Sequence, residues 1–195
     1  MTWGFWTSKY WQEYSDAYGG GHAGNIGPNG NLVVKLDADM WGRIRKGHRA
    51  DIRHAEKSVL VNWTGHDDVA REFADYQQLH LLDAGRLTRP QATFDLMRSW
   101  IPEHGLLAVG RVNGQAMGAA YFIRHGDGAY YASAARHPEA PRGIAHLLVW
   151  WGMLTLRYTA KWLDLGPVSD GTNQKLASIE HFKRGFGAEV KTWPY

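Results

Sequence analysis

Three predicted strands joined by two tight turns constrain this chain more than any other stretch. The strands cover residues 106–112, 115–124 and 129–134. Asn113-Gly114 separates the first two, and Gly126-Asp127-Gly128 separates the second from the third. Because Asn-Gly and Gly-rich pairs favour the short turns of antiparallel hairpins, the sequence predicts an antiparallel meander here.

A long apolar helix is predicted after the meander. Its apolar residues recur at spacings of three and four: Ile144, Leu147, Leu148, Trp151, Leu154 and Tyr158. We therefore predict a loop over residues 138–143, a helix over 144–160 and a buried strand over 162–165. A strand meander that leads through one helix to a further strand is typical of an α/β domain.

The remaining elements complete this arrangement. Further strands are predicted at residues 32–36, 59–63 and 188–193, and further helices at 67–82, 93–101 and 174–185. A helix rich in arginine, with Asp37 as its N-cap, is predicted between the first two strands. Residues 31–195 should therefore form one α/β domain, with a mixed, mostly antiparallel central sheet flanked by helices. Residues 1–30 form a separate aromatic- and glycine-rich segment.

The absence of cysteine removes several kinds of site. It excludes disulfides, thiolate metal sites and cysteine nucleophiles. The sequence also lacks a nucleophile-elbow serine and a His-Glu-x-x-His pattern, so we expect no metal centre. The first ten residues have no apolar run of the signal-peptide kind, and the apolar stretch around residues 147–156 is too short to cross a bilayer. We expect a cytoplasmic protein without a membrane span.

Positive charge is concentrated in residues 43–57, called here the basic segment. Its cations are Arg43, Arg45, Lys46, Arg49, Arg53 and Lys57. Against them stand Asp51 and Glu56, so the segment carries +4 while the whole chain carries only +3. Charge clustered in this way predicts a polyanionic partner. The alternative is a solvated helix with a chance excess of charge.

Residues 179–187 combine aromatic residues with glycines that end a helix. Phe182 and Phe186 lie four residues apart on one helical face, before Gly185 and Gly187 stop the helix. This spacing directs Phe182 into a core and lets Lys183 project from the adjacent face as a fixed cation. The alternative is a capped helix with a solvated lysine.

Both stretches resemble segments of the Fem-type aminoacyl transferases, a branch of the GNAT superfold. One is Phe-Lys-Arg-Gly-Phe-Gly at residues 182–187, and the other is the basic segment, which ends in Ile-Arg-His-Ala-Glu-Lys. They occur in the family's order, and the resemblance spans roughly residues 31–195. It implies a GNAT-like domain that uses aminoacyl-tRNA as co-substrate, without a bound cofactor, to add an amino acid to an amine.

The resemblance also implies roles for individual residues. Lys183, with Phe182 beside it, matches the family lysine thought to stabilise the ester or its tetrahedral intermediate. Arg142-Gly143-Ile144 stands where a GNAT enzyme offers helix-terminal amides to phosphate or an oxyanion. The basic segment would follow the tRNA phosphates. Independently of the resemblance, Asp164 is a candidate general base.

The length of the chain narrows the expected reaction. Typical Fem proteins have two GNAT-like halves, and this chain has room for one. It therefore looks more like the small tRNA-dependent transferases of antibiotic assembly, such as the pacidamycin alanyl transferase. The expected reaction forms a peptide bond between a small amino acid, for instance alanine, and an amine of a peptide-like metabolite, free or carried by a protein. The oligomeric state is left open.

Two other functions fit the same residues. An acyl-CoA-dependent N-acetyltransferase would bind acetyl-CoA at the loop before the long helix. Acetyl-CoA enzymes of this fold carry Gln or Arg three residues before the loop glycine, where this chain has Ala140. A non-catalytic RNA-binding module would use the basic segment alone and would leave Lys183 without a role.

Overall fold

The computed structural model describes residues 29–64, 68–101, 103–169, 171 and 173–192. The predicted segment 1–30 lies outside this range, except for its last two residues. The strands are β1 Asn31–Lys35, β2 Leu60–Trp63, β3 Gly105–Val112, β4 Gln115–His125, β5 Gly128–Arg136, β6 Trp162–Pro167 and β7 Glu189–Lys191. The helices are α1 Met40–Arg43, α2 Lys46–Ala55, α3 Val69–Ala84, α4 Gln91–Trp100, α5 Ile144–Leu156 and α6 Gln174–Arg184.

All seven strands form one sheet in the order β2-β3-β4-β5-β6-β1-β7. The pair β5 and β6 is parallel, and the other neighbouring pairs are antiparallel. The predicted meander is β3, β4 and β5, with turns at Asn113-Gly114 and Gly126-Asp127. The predicted α/β class and the mixed, mostly antiparallel sheet are confirmed.

Alternation along the strands sends side chains into two cores. In β3, Leu106 and Ala108 contribute to one core, while Leu107 and Val109 contribute to the other. Helices α2 and α5 cover the first face of the sheet, and α3 and α4 cover the second. Because successive side chains of a strand point to opposite faces, a central strand covered on both sides reads as a continuous apolar run.

The predicted arginine-rich helix is two helices. Ile44 has an extended backbone, with ψ 131°, and its side chain is buried, so α1 ends before it and α2 starts after Arg45. The prediction that Asp37 is the N-cap is wrong, because the cap position of α1 is Asp39. The Asp37 carboxylate instead accepts a hydrogen bond from Arg43 at 2.7 Å.

The long helix α5 differs from its predicted form in two ways. It ends at Leu156, where the chain turns back towards the sheet. The backbone N–H of Lys161 then donates to the Asp127 carbonyl, directly before the chain enters the sheet as β6. Tyr158 consequently lies outside the helix and is 76% exposed. Residues predicted off the apolar stripe, such as Val149 and Met153, are buried as well, because α5 is packed between the sheet and the helices α1 and α2.

The close approach of α5 to the sheet depends on small residues. Gly110 of β3 and Gly118 of β4 lie beneath Ile144, whose side-chain carbons are 3.1 Å from the position of a Cβ at either glycine. On the helix itself, a Cβ at Gly152 would overlap the ring of Phe122. A close-packed interior cannot absorb such an overlap without moving side chains or backbone.

Replacing Gly152 with alanine should therefore destabilise the fold. We expect the free energy of unfolding, measured by urea denaturation, to fall by ~1–3 kcal/mol for Gly152→Ala because the added methyl overpacks the core. The control is Gly47→Ala in α2, where nothing lies within 4 Å of the added atom. That change should be neutral or stabilise by up to ~1 kcal/mol. Equal effects of the two substitutions would contradict this packing.

His80 is a buried polar residue between α3 and β5. Its Nδ1 lies 3.0 Å from the Thr88 hydroxyl and its Nε2 lies 3.0 Å from the Ser133 hydroxyl. Burial, assisted by the charge of Arg89, lowers the pKa of His80 from 6.5 to about 4. The imidazole is therefore neutral in the folded protein under ordinary conditions.

This histidine should make stability depend on pH. Between pH 6.5 and 4 the unfolded chain binds a proton at His80 that the folded chain does not, so stability falls as the pH falls through this window. The loss should reach about 3 kcal/mol at the acid end. Urea denaturation between pH 7 and 4.5 should show a shallower loss for His80→Gln than for the parent. The control His54→Gln lies on the exposed side of α2, and the proposal fails if both variants keep the parent's slope.

Candidate active site

Strands β5 and β6 separate soon after they begin. Their pairing covers Gly128↔Trp162, Ala129↔Leu163 and Tyr130↔Asp164, yet β5 continues to Arg136. Beyond Tyr130, β5 stays with β4 while β6 follows β1. Among the residues that the structure describes, no strand pairs with the β6-facing edge of β5 over this length. A V-shaped opening in a sheet exposes backbone donors and acceptors that can bind an extended ligand.

A cavity of about 140 Å³ lies along this part of β5. The side chains of alanines on β4 and β5 are small and leave space for this cavity, and the first turn of α5 closes one end of it. Its lining residues are Asp83, Ala119, Ala120, Tyr131, Ala134, Ala135, Arg136, Ile144, Ala145 and Leu148. An apolar cleft with a few charged groups at its mouth is the usual form of a small-molecule site.

The start of α5 is packed closely on α2. Gly143 precedes the helix with φ +86°, a conformation that favours glycine, and a Cβ there would overlap the Asp51 carbonyl oxygen. Arg142 donates from Nε to the Asp51 carboxylate at 2.8 Å, although most of its side chain is exposed. The Ile144 side chain is buried in the core. Of the predicted phosphate or oxyanion loop, Ile144 lines the cleft, whereas the Arg142 guanidinium is bound to Asp51 of α2.

Lys183 reaches β6 from α6. Its Nζ lies 3.0 Å from the point where a Cβ of Gly166 would stand, and the Tyr130 hydroxyl lies 3.9 Å from the same point. Burial lowers the pKa of the Lys183 amine, while the carboxylates of Asp164 and Glu180 act in the opposite direction. The amine is therefore held at the point where β5 and β6 part, rather than extended into water.

Asp164 is fully buried. Its Oδ2 accepts from the Asn31 side-chain amide at 2.7 Å, and its Oδ1 accepts from the Gly166 backbone at 2.6 Å. These two hydrogen bonds fix the orientation of the carboxylate. The predicted general base is thus a buried carboxylate that acts on the Lys183 amine electrostatically and raises its pKa.

Phe182 turns to the other side of α6. It packs on His48 and His146 with ring centroids 5.6 and 4.9 Å away, and on Phe186 at 5.2 Å. Phe186 is fully buried, as its spacing predicted. Burial, with His48 alongside, lowers the pKa of His146 to about 4. Phe182 therefore anchors α6 in the core, while the next residue faces the opening.

The predicted RNA-binding cations differ in their surroundings. Arg43 pairs with Asp37, Arg49 donates to the Trp41 and Gly42 carbonyls, and the Arg53 guanidinium lies 5.5 Å above the Trp41 ring. Arg45 contacts α6 and is considered below. Several charges of the basic segment are thus fixed by contacts within the fold, while the side chains of Lys46 and Lys57 are exposed.

Several residues of this region carry no signal in the sequence. Tyr130, Asn31, His48 and His146 come from four separate elements, and no local spacing connects them. His48 and His146, for example, are 98 positions apart in the chain, yet their rings lie 4.3 Å apart. Only the fold brings them together.

Comparison with known proteins identifies the fold family. Residues 42–170 match the model of the acetyltransferase (GNAT) domain. This chain belongs to the GNAT acetyltransferase-domain family. No curated protein matches it. Within the described ranges, none of the helices has both the length and the apolar character needed to cross a membrane.

Solved structures place the GNAT domain among proteins of several kinds. The structure of FemX superposes with a TM-score of 0.67 at 13% identity, over 85% of this chain and 60% of that one. The C-terminal domain of a putative lysylphosphatidylglycerol synthetase from Agrobacterium fabrum gives 0.61 at 20% identity, over 82% and 57%. An aminoglycoside acetyltransferase from an uncultured soil sample gives 0.53 at 11% identity, over 72% and 96%. The chain thus spans less than two thirds of the first two proteins. At these identities the likeness concerns the fold.

Proposed function

We propose that this GNAT domain is an aminoacyl-tRNA-dependent aminoacyltransferase. It forms a peptide bond between a small amino acid and an amine of a peptide-like metabolite, as in the assembly of peptide antibiotics. The observation that carries the proposal is the position of the Lys183 amine, held over Gly166 where β5 and β6 part. Its helix also carries the Phe-Lys-Arg-Gly-Phe-Gly stretch that resembles the Fem-type transferases.

The chemistry requires alignment and charge stabilisation. The acceptor amine attacks the carbonyl carbon of the aminoacyl ester, so that a C–N bond forms and the bond from carbon to the ribose oxygen breaks. The proton released by the amine passes to the departing ribose oxygen, which leaves as a hydroxyl. Because the ester is already activated, positioning supplies several kcal/mol of the barrier. A fixed ammonium can stabilise the negative oxygen of the tetrahedral intermediate.

The surrounding groups divide the remaining tasks. Asp164 and Glu180 help Lys183 keep its proton in a desolvated place, which the role of a donor to the oxyanion requires. The cleft along β5 accommodates the end of the donor, and the basic segment binds the phosphates of its RNA. This arrangement needs neither a nucleophilic residue nor a metal ion for the transfer step.

Removing the amine should abolish turnover without abolishing binding. We expect Lys183→Ala to lower kcat by about 100- to 1,000-fold, the usual effect of losing one oxyanion donor. Transfer would be measured with radiolabelled alanyl-, glycyl- and seryl-tRNA and simple peptide amines, with and without RNase. The affinity for the tRNA should stay within about twofold, since the basic segment is intact.

The matched control is Lys175→Ala, which removes an exposed lysine near the start of the same helix. It should leave kcat unchanged. Equal turnover in the Lys183 variant and the parent would remove Lys183 from the mechanism, and an absence of label transfer from every tRNA would reject the proposed donor.

The family match favours one other candidate, an N-acetyltransferase that uses acetyl-CoA. The cleft along β5 and the glycine before α5 are compatible with a pantetheine chain and its phosphates. Ala140, where a Gln or Arg would be expected, speaks against it. If this candidate is correct, acetyl-CoA at 100 times its Kd should stabilise the fold by about 2.7 kcal/mol. A thermal melt with ATP as a control anion would detect this, and an equal response to both ligands would count against the acetyltransferase.

A further inference from the structure

The end of α6 that carries Lys183 is held by the start of α2. The last carbonyls of a helix lack the usual helical partner and are satisfied by tighter bonds of the final turn or by groups from outside. Here the Gly185 N–H donates to the Phe182 carbonyl at 3.1 Å, and α2 supplies further donors. Arg45 donates from its guanidinium to the His181 carbonyl at 2.8 Å, and its backbone N–H donates to the Gly185 carbonyl at 2.8 Å. The His48 ring nitrogen Nε2 lies 2.8 Å from the Phe182 carbonyl. Because a carbonyl can only accept, Nε2 carries the proton.

The packing around these hydrogen bonds is tight. His48 is buried, with its ring against Phe182, Phe186 and His146 at centroid distances of 5.6, 5.0 and 4.3 Å. A Cβ at Gly185 would overlap the imidazole. The second guanidinium nitrogen of Arg45 lies 2.7 Å from the His181 ring. These contacts fix the position of the last turn of α6 along the helix axis and its rotation about that axis.

We propose that Arg45 and His48 are positioning residues, which set the place of the Lys183 amine by capping the last turn of α6. Lys183 directly follows Phe182, whose carbonyl is capped, and precedes Gly185, whose carbonyl is capped too. Successive residues of a helix are about 100° apart, so a small rotation of this turn would carry the amine away from Gly166. A cation at a helix C-terminus also interacts favourably with the helix dipole. This inference rests on the proposed role of Lys183.

The proposal separates Arg45 from its neighbours in the basic segment. Both side chains are exposed, but the Arg45 guanidinium is hydrogen-bonded to the ring and the carbonyl of His181 in α6, unlike that of Lys46 beside it. A residue that contacts phosphate changes the affinity for RNA and its salt dependence. A residue that places Lys183 changes kcat instead.

The experiment compares Arg45→Gln with Lys46→Gln in the intact protein. For Arg45→Gln we expect kcat to fall at least tenfold, with an unchanged tRNA affinity and an unchanged slope of log affinity against log salt concentration. For Lys46→Gln we expect weaker tRNA binding and a slope that is shallower by about 0.7 to 0.9, the value of one phosphate contact. Arg45→Lys should recover part of kcat. If Arg45→Gln instead weakens tRNA binding and flattens the salt slope with kcat kept, the proposal is overturned.

A second readout does not depend on tRNA or on turnover. Labelling of lysine amines with an acylating reagent, followed by mass spectrometry, reports how far Lys183 is exposed, with Lys175 as the internal reference. Arg45→Gln should raise the labelling of Lys183 several-fold relative to Lys175, and His48→Gln should do the same if it folds. No change in labelling in Arg45→Gln would reject the proposal. If the parent protein transfers no label from tRNA, the proposed donor is rejected. Raised labelling of Lys183 in Arg45→Gln would then still support the positioning role of Arg45.

Discussion

The early separation of β5 from β6 is the constraint on which the site depends. Three residue pairs join the strands, and then each strand follows a different neighbour. Within the described part of the chain, the gap leaves this edge of β5 without a strand partner, and alanines of β4, β5 and α5 line the adjacent cleft. It also leaves room above Gly166 for a lysine to enter from α6. If β5 and β6 were paired along their full length, there would be no cleft beside β5 and no space at Gly166 for the Lys183 amine.

The fold could be predicted largely from local signals. Turns such as Asn113-Gly114 fix a hairpin through the backbone of two residues, and the apolar run of α5 is longer than any strand. The errors arose where tertiary packing overrules propensity. Ile44 breaks a predicted helix because its side chain is needed in the core, and α5 stops at Leu156 because the chain must re-enter the sheet at Trp162.

Only part of the candidate site could be predicted from local signals in the sequence. Lys183 and Phe182 belong to a short stretch whose resemblance to a known family is visible in the sequence alone. The same is true of the cations of the basic segment. What the sequence could not predict is that the two stretches touch. The contact between His48 and the Phe182 carbonyl joins residues 134 positions apart, and nothing in their spacing encodes it. The arginine that reads as an RNA ligand in the sequence is seen to bond to α6 in the fold.

The placement of β1 has a consequence for how the domain is completed. This strand comes early in the described chain, yet it lies between β6 and β7, and its Asn31 binds Asp164 across 133 positions. During synthesis β1 must wait, without these partners, until both late strands have left the ribosome. Contacts between residues so far apart in the chain form slowly, because the entropy of closing the long loop is lost before the contacts can stabilise it. The pair of Asn31 and Asp164 is therefore among the last parts to assemble, so the meander can be in place before the domain is competent to act.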